Sequence, residues 1–216
     1  MKTPIPYSQL TVIGLALLAT ACSSSATQPK ITAPTIPIAQ YNGVALAPPR
    51  CEPGAPHAKA PAELAQFDFL IGDFTIEGQA WTAQGWRSSP TPPPPARWNG
   101  KYGLDGMAIY DEWFNVDPGL NLDTPRGVNV RFYDEKTSEW KMMWVHTGVG
   151  QVQDLRAEMR DGELTMWQEY PDRPDFLATF IREDKDHWHR ISFAKDDEGN
   201  WTKTIKLAAT RLPCAN

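Results

Sequence analysis

Cysteine is scarce in this chain: three in 216 residues, at positions 22, 51 and 214. That excludes a Cys-rich zinc module and a disulfide-dense miniature scaffold. Histidine is nearly as scarce, with four residues. Positive charge is in deficit, with 21 Lys and Arg against 26 Asp and Glu and a net charge of −5. A basic face for nucleic acid is therefore not expected. No apolar run approaches the roughly 20 residues of a membrane-spanning helix. The run Leu10–Leu18 has only nine. Neither a Gly-x-Ser-x-Gly elbow nor a Gly-rich phosphate loop is present, so no motif calls for a serine nucleophile, a nucleotide or another cofactor. Beyond residue 67 there is no amphipathic helical stretch of useful length. That leaves few crossovers, so parallel strand pairing is not expected.

What is present begins with Lys2, the only charge before residue 22, followed by the apolar run and by Leu18-Ala-Thr-Ala-Cys22. Ser23-Ser-Ser25 comes next. Small residues before a cysteine and polar ones after it resemble the lipobox of bacterial lipoproteins, with Ala19 where Leu is commonest. The resemblance implies that residues 1–21 are an export signal and that Cys22 becomes the acylated N-terminus. Each acyl chain contributes about 0.8 kcal/mol per buried CH₂ to anchoring. Ser23 rather than Asp after the cysteine implies the outer membrane, with the chain facing the periplasm. An ordinary signal peptide with an incidental cysteine is the alternative.

Lipidation of Cys22 leaves Cys51 and Cys214, which bracket the rest of the chain. In an oxidising periplasm they are expected to pair; two free thiols are the alternative. A bridge across their 162 intervening residues would gain up to about 5 kcal/mol from chain entropy, less any native strain. Residues 22–61 are rich in Ser, Thr, Ala and Pro, with prolines at 29, 34, 37, 48, 49, 53, 56 and 61. Such a segment favours extended conformations and buries no core, so it reads as a lipidated tether whose last part packs on the domain if Cys51 is bridged.

Residues 62–216 read as one β domain. Ala62–Phe67, with Pro61 before it, predicts a short helix. Ten apolar or aromatic runs follow: 74–82, 97–104, 107–115, 127–133, 140–147, 152–159, 164–170, 176–182, 187–194 and 201–211. Turn residues punctuate them, including Asp105-Gly106, Asp161-Gly162 and Asp196-Asp-Glu-Gly-Asn200. Alternation places Val128, Val130 and Phe132 on one face and Asn129, Arg131 and Tyr133 on the other. Trp140, Met142, Trp144 and His146 share a face, as do Phe176, Ala178 and Phe180. About ten such strands close most economically as an antiparallel up-and-down barrel. A two-sheet sandwich is the alternative. Pro90–Pro95 cannot lie in a central strand and reads as a stiff loop at one mouth.

Phe67-Asp-Phe69, then Gly72 and Phe74, resembles the F-D-F-x-x-G-x-[WF] signature of an uncharacterised bacterial lipocalin-like (calycin) family. Tyr102-Gly-Leu-Asp-Gly106, Asp111-Glu-Trp113 and Trp201 through Arg211 add to that resemblance. It implies a barrel plugged by a short N-terminal helix, with strand one opening at the Gly-x-aromatic step. It also implies a small apolar or amphipathic ligand, and it supplies no catalytic set. Phe74 stands where Trp is usual, which puts the expected Trp–Arg lock with Arg211 in question.

The candidate ligand-binding residues are Trp98, Asp111, Trp113, Arg131, Trp144, His146 and Trp167. Nine tryptophans serve either aromatic cavity walls or a filled core, and small barrels tend to fill their interiors. His187-Trp-His189 has metal-ligand spacing on a strand, but a third ligand would have to come from His146 or Glu169, and no metal is expected. Arg131, Arg156, Arg182, Arg190 and Arg211 fall on strands and would clamp an anionic head group if two or three pointed inward. Asp111-Glu112 and Glu169 offer carboxylates, but neighbours on a strand face opposite ways and make no acid pair. Three functional readings follow. The favoured one is an envelope binding module for a small hydrophobic or amphipathic molecule. The others are a filled barrel that contacts a protein partner of unknown kind, and an enzyme using Asp111, His146 and Arg131.

Overall fold

A period of two along each apolar run puts alternate side chains on opposite faces of an extended chain, and in this computed structural model those runs are strands. The structure describes residues 40–41, 44–45, 50–91, 95–115, 125–148 and 150–214, all within the unit Ile36–Asn216. Residues 1–21, Cys22, and positions 92–94 of the proline run lie outside the described residues.

A two-residue antiparallel ladder comes first, β1 (Gln40–Tyr41) with β2 (Val44–Ala45). A 3-10 helix spans Ala62–Leu70. The remaining strands are β3 (Gly72–Thr82), β4 (Gly85–Arg87), β5 (Ala96–Gly103), β6 (Ala108–Phe114), β7 (Gly127–Asp134), β8 (Glu139–His146), β9 (Gln151–Arg160), β10 (Glu163–Tyr170), β11 (Phe176–Arg182), β12 (His187–Lys195) and β13 (Trp201–Arg211). From β5 to β13 each strand pairs antiparallel with the next. β3 closes the ring by pairing with both β5 and β13. The result is a closed ten-strand antiparallel barrel, consistent with a lipocalin-like fold. Closure leaves no long open edge, and the sandwich is set aside. The ten runs read from the sequence match these strands to within two residues at each end. β4 is the exception. It folds back on the end of β3, held by an edge-to-face pair of Trp81 and Trp86 at 5.0 Å, and its three residues are too few for alternation to betray.

The helix seals one end. Leu64, Phe67, Phe69 and Leu70 are buried, and Phe67 packs edge-on against Trp140 (4.8 Å) and Phe180 (5.4 Å). Phe69 meets Trp188, while Trp140 Nε1 donates to Gln66 Oε1 at 2.9 Å. Two glycines permit this closure. A Cβ on Gly100 would lie 1.9 Å from the Leu70 carbonyl oxygen, so only glycine lets the helix end rest on β5. Gly72 has φ +121°, and a Cβ there would meet Arg211 Nη1 at 2.2 Å.

Those contacts give the Phe-Asp-Phe-x-x-Gly-x-Phe signature a physical content. Phe67 and Phe69 fill the floor, Asp68 pairs with Arg182, and Gly72 makes room for Arg211. The Arg211 guanidinium lies 4.5 Å from the Phe74 ring centroid and donates to the Ile71 carbonyl at 2.8 Å. The lock survives replacement of Trp by Phe, because a benzene face also attracts a guanidinium.

Residues 50–61 run along the outer wall. The amides of Tyr102 and His57 donate to the carbonyls of Pro53 and Gly106, respectively. Cys51 is disulfide-bonded to Cys214 with Cα atoms 5.6 Å apart. The side chain of Asp73 accepts from the Arg50 amide and from Asn99 Nδ2, with Arg97 at 3.7 Å. Its backbone carbonyl receives the Leu212 amide. Burial raises the Asp73 carboxyl above its usual range despite these partners.

Candidate functional site

The strands fix which side chains enter the barrel. On β8, Trp140, Met142, Trp144 and His146 all face inward, opposite Ala157, Leu155, Gln153 and Gln151 of β9. β11 contributes Phe176, Ala178 and Phe180; β12 contributes Trp188 and Arg190; β13 contributes Leu207 and Ala209. β7 turns its polar face inward: Asn129 and Arg131 are buried, whereas Phe132 on the opposite face is 44% exposed.

Near the helix this interior is solid. Toward the other end it opens into a cavity of about 670 Å³. Trp98, Trp113, Trp144, Phe176 and Phe180 supply aromatic wall, and Leu155, Met166 and Leu207 supply aliphatic wall. Asn115, Asn129, His146, Gln151, Gln153 and Gln168 add polar groups, with Arg131, Arg173 and Arg190. Gln153 and Gln168 are bonded to each other at 2.7 Å. By contrast, Trp98 Nε1, Asn129 Oδ1, His146 Nδ1 and Arg190 Nε are buried without a hydrogen-bond partner among the described residues. Buried polar atoms are rarely left so; these four share one cavity, while others, such as those of Arg97 and Trp188 Nε1, lie outside its lining.

Arg173, on the β10–β11 turn, is paired with Asp175; the two cavity arginines on strands, Arg131 and Arg190, differ. Arg131 is satisfied. Its Nε donates to Asp111 Oδ2, and Nη1 lies 3.1 Å from Met142 Sδ. The guanidinium also sits 4.8 Å from the Phe67 ring centroid, 5.3 Å from Phe180 and 5.7 Å from Trp98. Burial pushes the fully buried Asp111 carboxyl up to about 6, while the charge and hydrogen bond of Arg131 pull it down. Arg190 has no ion pair or hydrogen bond among the described residues. Burial pushes it down to about 10, and the like charge of Arg131 adds to that. It therefore stays a cation at neutral pH.

Five of the seven residues selected from the sequence, Trp98, Trp113, Arg131, Trp144 and His146, line the cavity. Asp111 does not line it: it lies sealed beside Arg131. Trp167 lies on the outer wall, where its Nε1 donates to Glu169 at 2.5 Å and Arg160 covers its ring. Alternation explains this, because Met166 and Gln168 take the inward positions of β10. Arg156, Arg182 and Arg211 also lie away from the cavity, paired with Asp154, Asp68 and Asp186. Of the three residues weighed for catalysis, Arg131 and His146 line the cavity, and Asp111 is paired with Arg131 behind it. His187 and His189 each bond a nearby carboxylate, Asp184 and Glu183. Among the described residues no group of three or more His, Cys, Asp or Glu could hold a metal. Sequence reasoning missed Gln151, Gln153 and Gln168 as cavity groups. Their signal was polar residues on an otherwise apolar face: Gln168 is in line with Leu164 and Met166.

No family model matches the chain, and no curated protein matches it. Among solved structures it is similar to the S-type phycobiliprotein lyase CPES from Guillardia theta, at 13% identity over 70% of this chain and 93% of that one, with a TM-score of 0.44.

Proposed function

We propose that this protein is an envelope-anchored binding module whose barrel holds one small amphipathic molecule. The observation that carries the reading is the cavity of about 670 Å³, with aromatic walls and polar atoms that lack protein partners. Its volume falls within the roughly 300–1,000 Å³ typical of small-molecule sites. An apolar body would rest on Trp113, Trp144 and Phe176, and polar groups would meet Asn129, His146 and Arg190. The cavity argues against a filled barrel that acts only through its outer surface. Anchoring through Cys22 at the outer membrane, facing the periplasm, is part of the same proposal. It is supported by the small residues before that cysteine, by Ser23, and by a disulfide of the kind that persists in oxidising compartments.

The test uses the full chain carrying Cys22→Ser, so that no acyl chain of its own competes for the cavity. Titration with dodecanoate and dodecan-1-ol, read by tryptophan fluorescence, is expected to give saturable one-to-one binding. Leu207→Trp, which fills cavity volume, should abolish it while unfolding at a similar temperature. Absence of saturable binding for both probes, with no co-purified small molecule by native mass spectrometry, would refute the reading.

A further inference from the structure

The two inward arginines pose a charge problem that the protein solves only once. A buried cation is tolerated when a carboxylate and hydrogen bonds compensate it. Arg131 has Asp111. Arg190, half-buried on the cavity wall, has none among the described residues, and the charged group acting on it is Arg131, of the same sign. Arg131, Arg190 and Asp111 together leave the barrel floor with one uncompensated positive charge.

The position of Arg190 is fixed by its strand. Trp188 and Arg190 are both inward on β12, and the cross-strand neighbours of Arg190 are Phe180 of β11 and Leu207 of β13. Phe180 touches Phe67 of the helix at 5.4 Å, so Arg190 stands near the floor with apolar walls beside it. A guanidinium forms two parallel hydrogen bonds to a carboxylate or phosphate, and a low-dielectric setting strengthens them. Nε, the atom that joins one such fork, is among the buried atoms without a partner.

We infer that Arg190 is an anion-anchoring residue, and that the cavity takes an amphipathic acid head-in. Its carboxylate or phosphate meets Arg190, and its apolar body lies along Trp144 and Phe176 toward the mouth. This deepens the binding reading and rests on it. Arg131 holds the floor in place, and Arg190 selects the ligand.

The experiment compares dodecanoate, dodecyl phosphate and dodecan-1-ol on the Cys22→Ser full chain, with and without Arg190→Gln. The acids are expected to bind about tenfold or more tightly than the alcohol, and Arg190→Gln is expected to erase that gap by weakening the acids far more than the alcohol. Whichever acid loses more in Arg190→Gln identifies the head group. Arg190→Gln is also expected to unfold at a temperature no lower than its parent, because it removes a half-buried cation that has no counter-ion among the described residues; a purely structural arginine would give the reverse. Equal binding of acids and alcohol, unmoved by Arg190→Gln, overturns the anion inference and leaves the binding reading standing. If none of the three probes binds, the binding reading falls and the inference falls with it.

Discussion

The two ends of the barrel are made by the same ten strands and differ in what those strands aim inward. At the helix end, Phe67, Leu70, Phe74, Trp140 and Trp188 fill the space and are almost inaccessible to solvent. At the far end the inward positions carry Trp144, His146, Gln151 and Gln153, and a cavity remains. One end is built for packing, where each lost methylene is felt. The other lines its cavity with Trp98 Nε1, Asn129 Oδ1, His146 Nδ1 and Arg190 Nε, which have no hydrogen-bond partner among the described residues. On the proposed reading stability and recognition are separated along the barrel axis, and substitutions at the two ends should have separable effects.

The largest expected effect lies at the plug. Phe67→Ala should cost about 4 kcal/mol in guanidinium denaturation, since it empties the centre of an edge-to-face aromatic cluster. A loss below about 1 kcal/mol would mean that the helix does not seal the floor. Next is Asp111→Ala, which strands the Arg131 charge and should cost about 3 kcal/mol by the same measurement.

Asp111 also carries a pH signature. Its carboxyl is raised in the fold to about 6, above the ordinary aspartate range near 4. The folded state therefore holds a proton that the unfolded state has released, and this stabilisation is complete below the ordinary range and lost as pH rises to about 6. Comparison of denaturation midpoints across that window should show a fall in the parent and a smaller one in Asp111→Asn, where Asp73, also raised by burial, still contributes.

The smaller effects sharpen the contrast between the ends. Phe176→Ala, at the open end, should cost about 1 kcal/mol in stability yet weaken dodecanoate binding in the fluorescence titration. Trp167→Ala, on the outer wall, should change stability by less than about 0.5 kcal/mol and leave that titration unaltered.

The ten strands were legible because alternation and turn residues are local signals. Asp161-Gly162 between two apolar runs needs no tertiary information to read as a hairpin. The helix was legible for the same reason, although its extent to Leu70 was not, because Phe69 and Leu70 are held by contacts with the barrel floor. Most of the cavity wall could be named because Trp144 and His146 share a face with Trp140. Trp167 was misplaced because an aromatic residue on a half-buried strand suits either side, and only the positions of Met166 and Gln168 against Ala157 and Leu155 decide.

By itself the sequence determined the ten barrel strands, the hairpin order, the cysteine bracket and the plug signature, all of which depend on neighbours within a few residues or on the two ends of the domain. Only the tertiary structure decided which face of each strand is interior. On β7 the apolar set Val128, Val130 and Phe132 went outside, and Asn129 and Arg131 went in, because Asp111 waits on β6 twenty positions away. It also decided that the barrel is hollow at one end. The helix side chains fill one end with Trp140, Phe180 and Trp188, and the side chains at the other leave a cavity of about 670 Å³ between them.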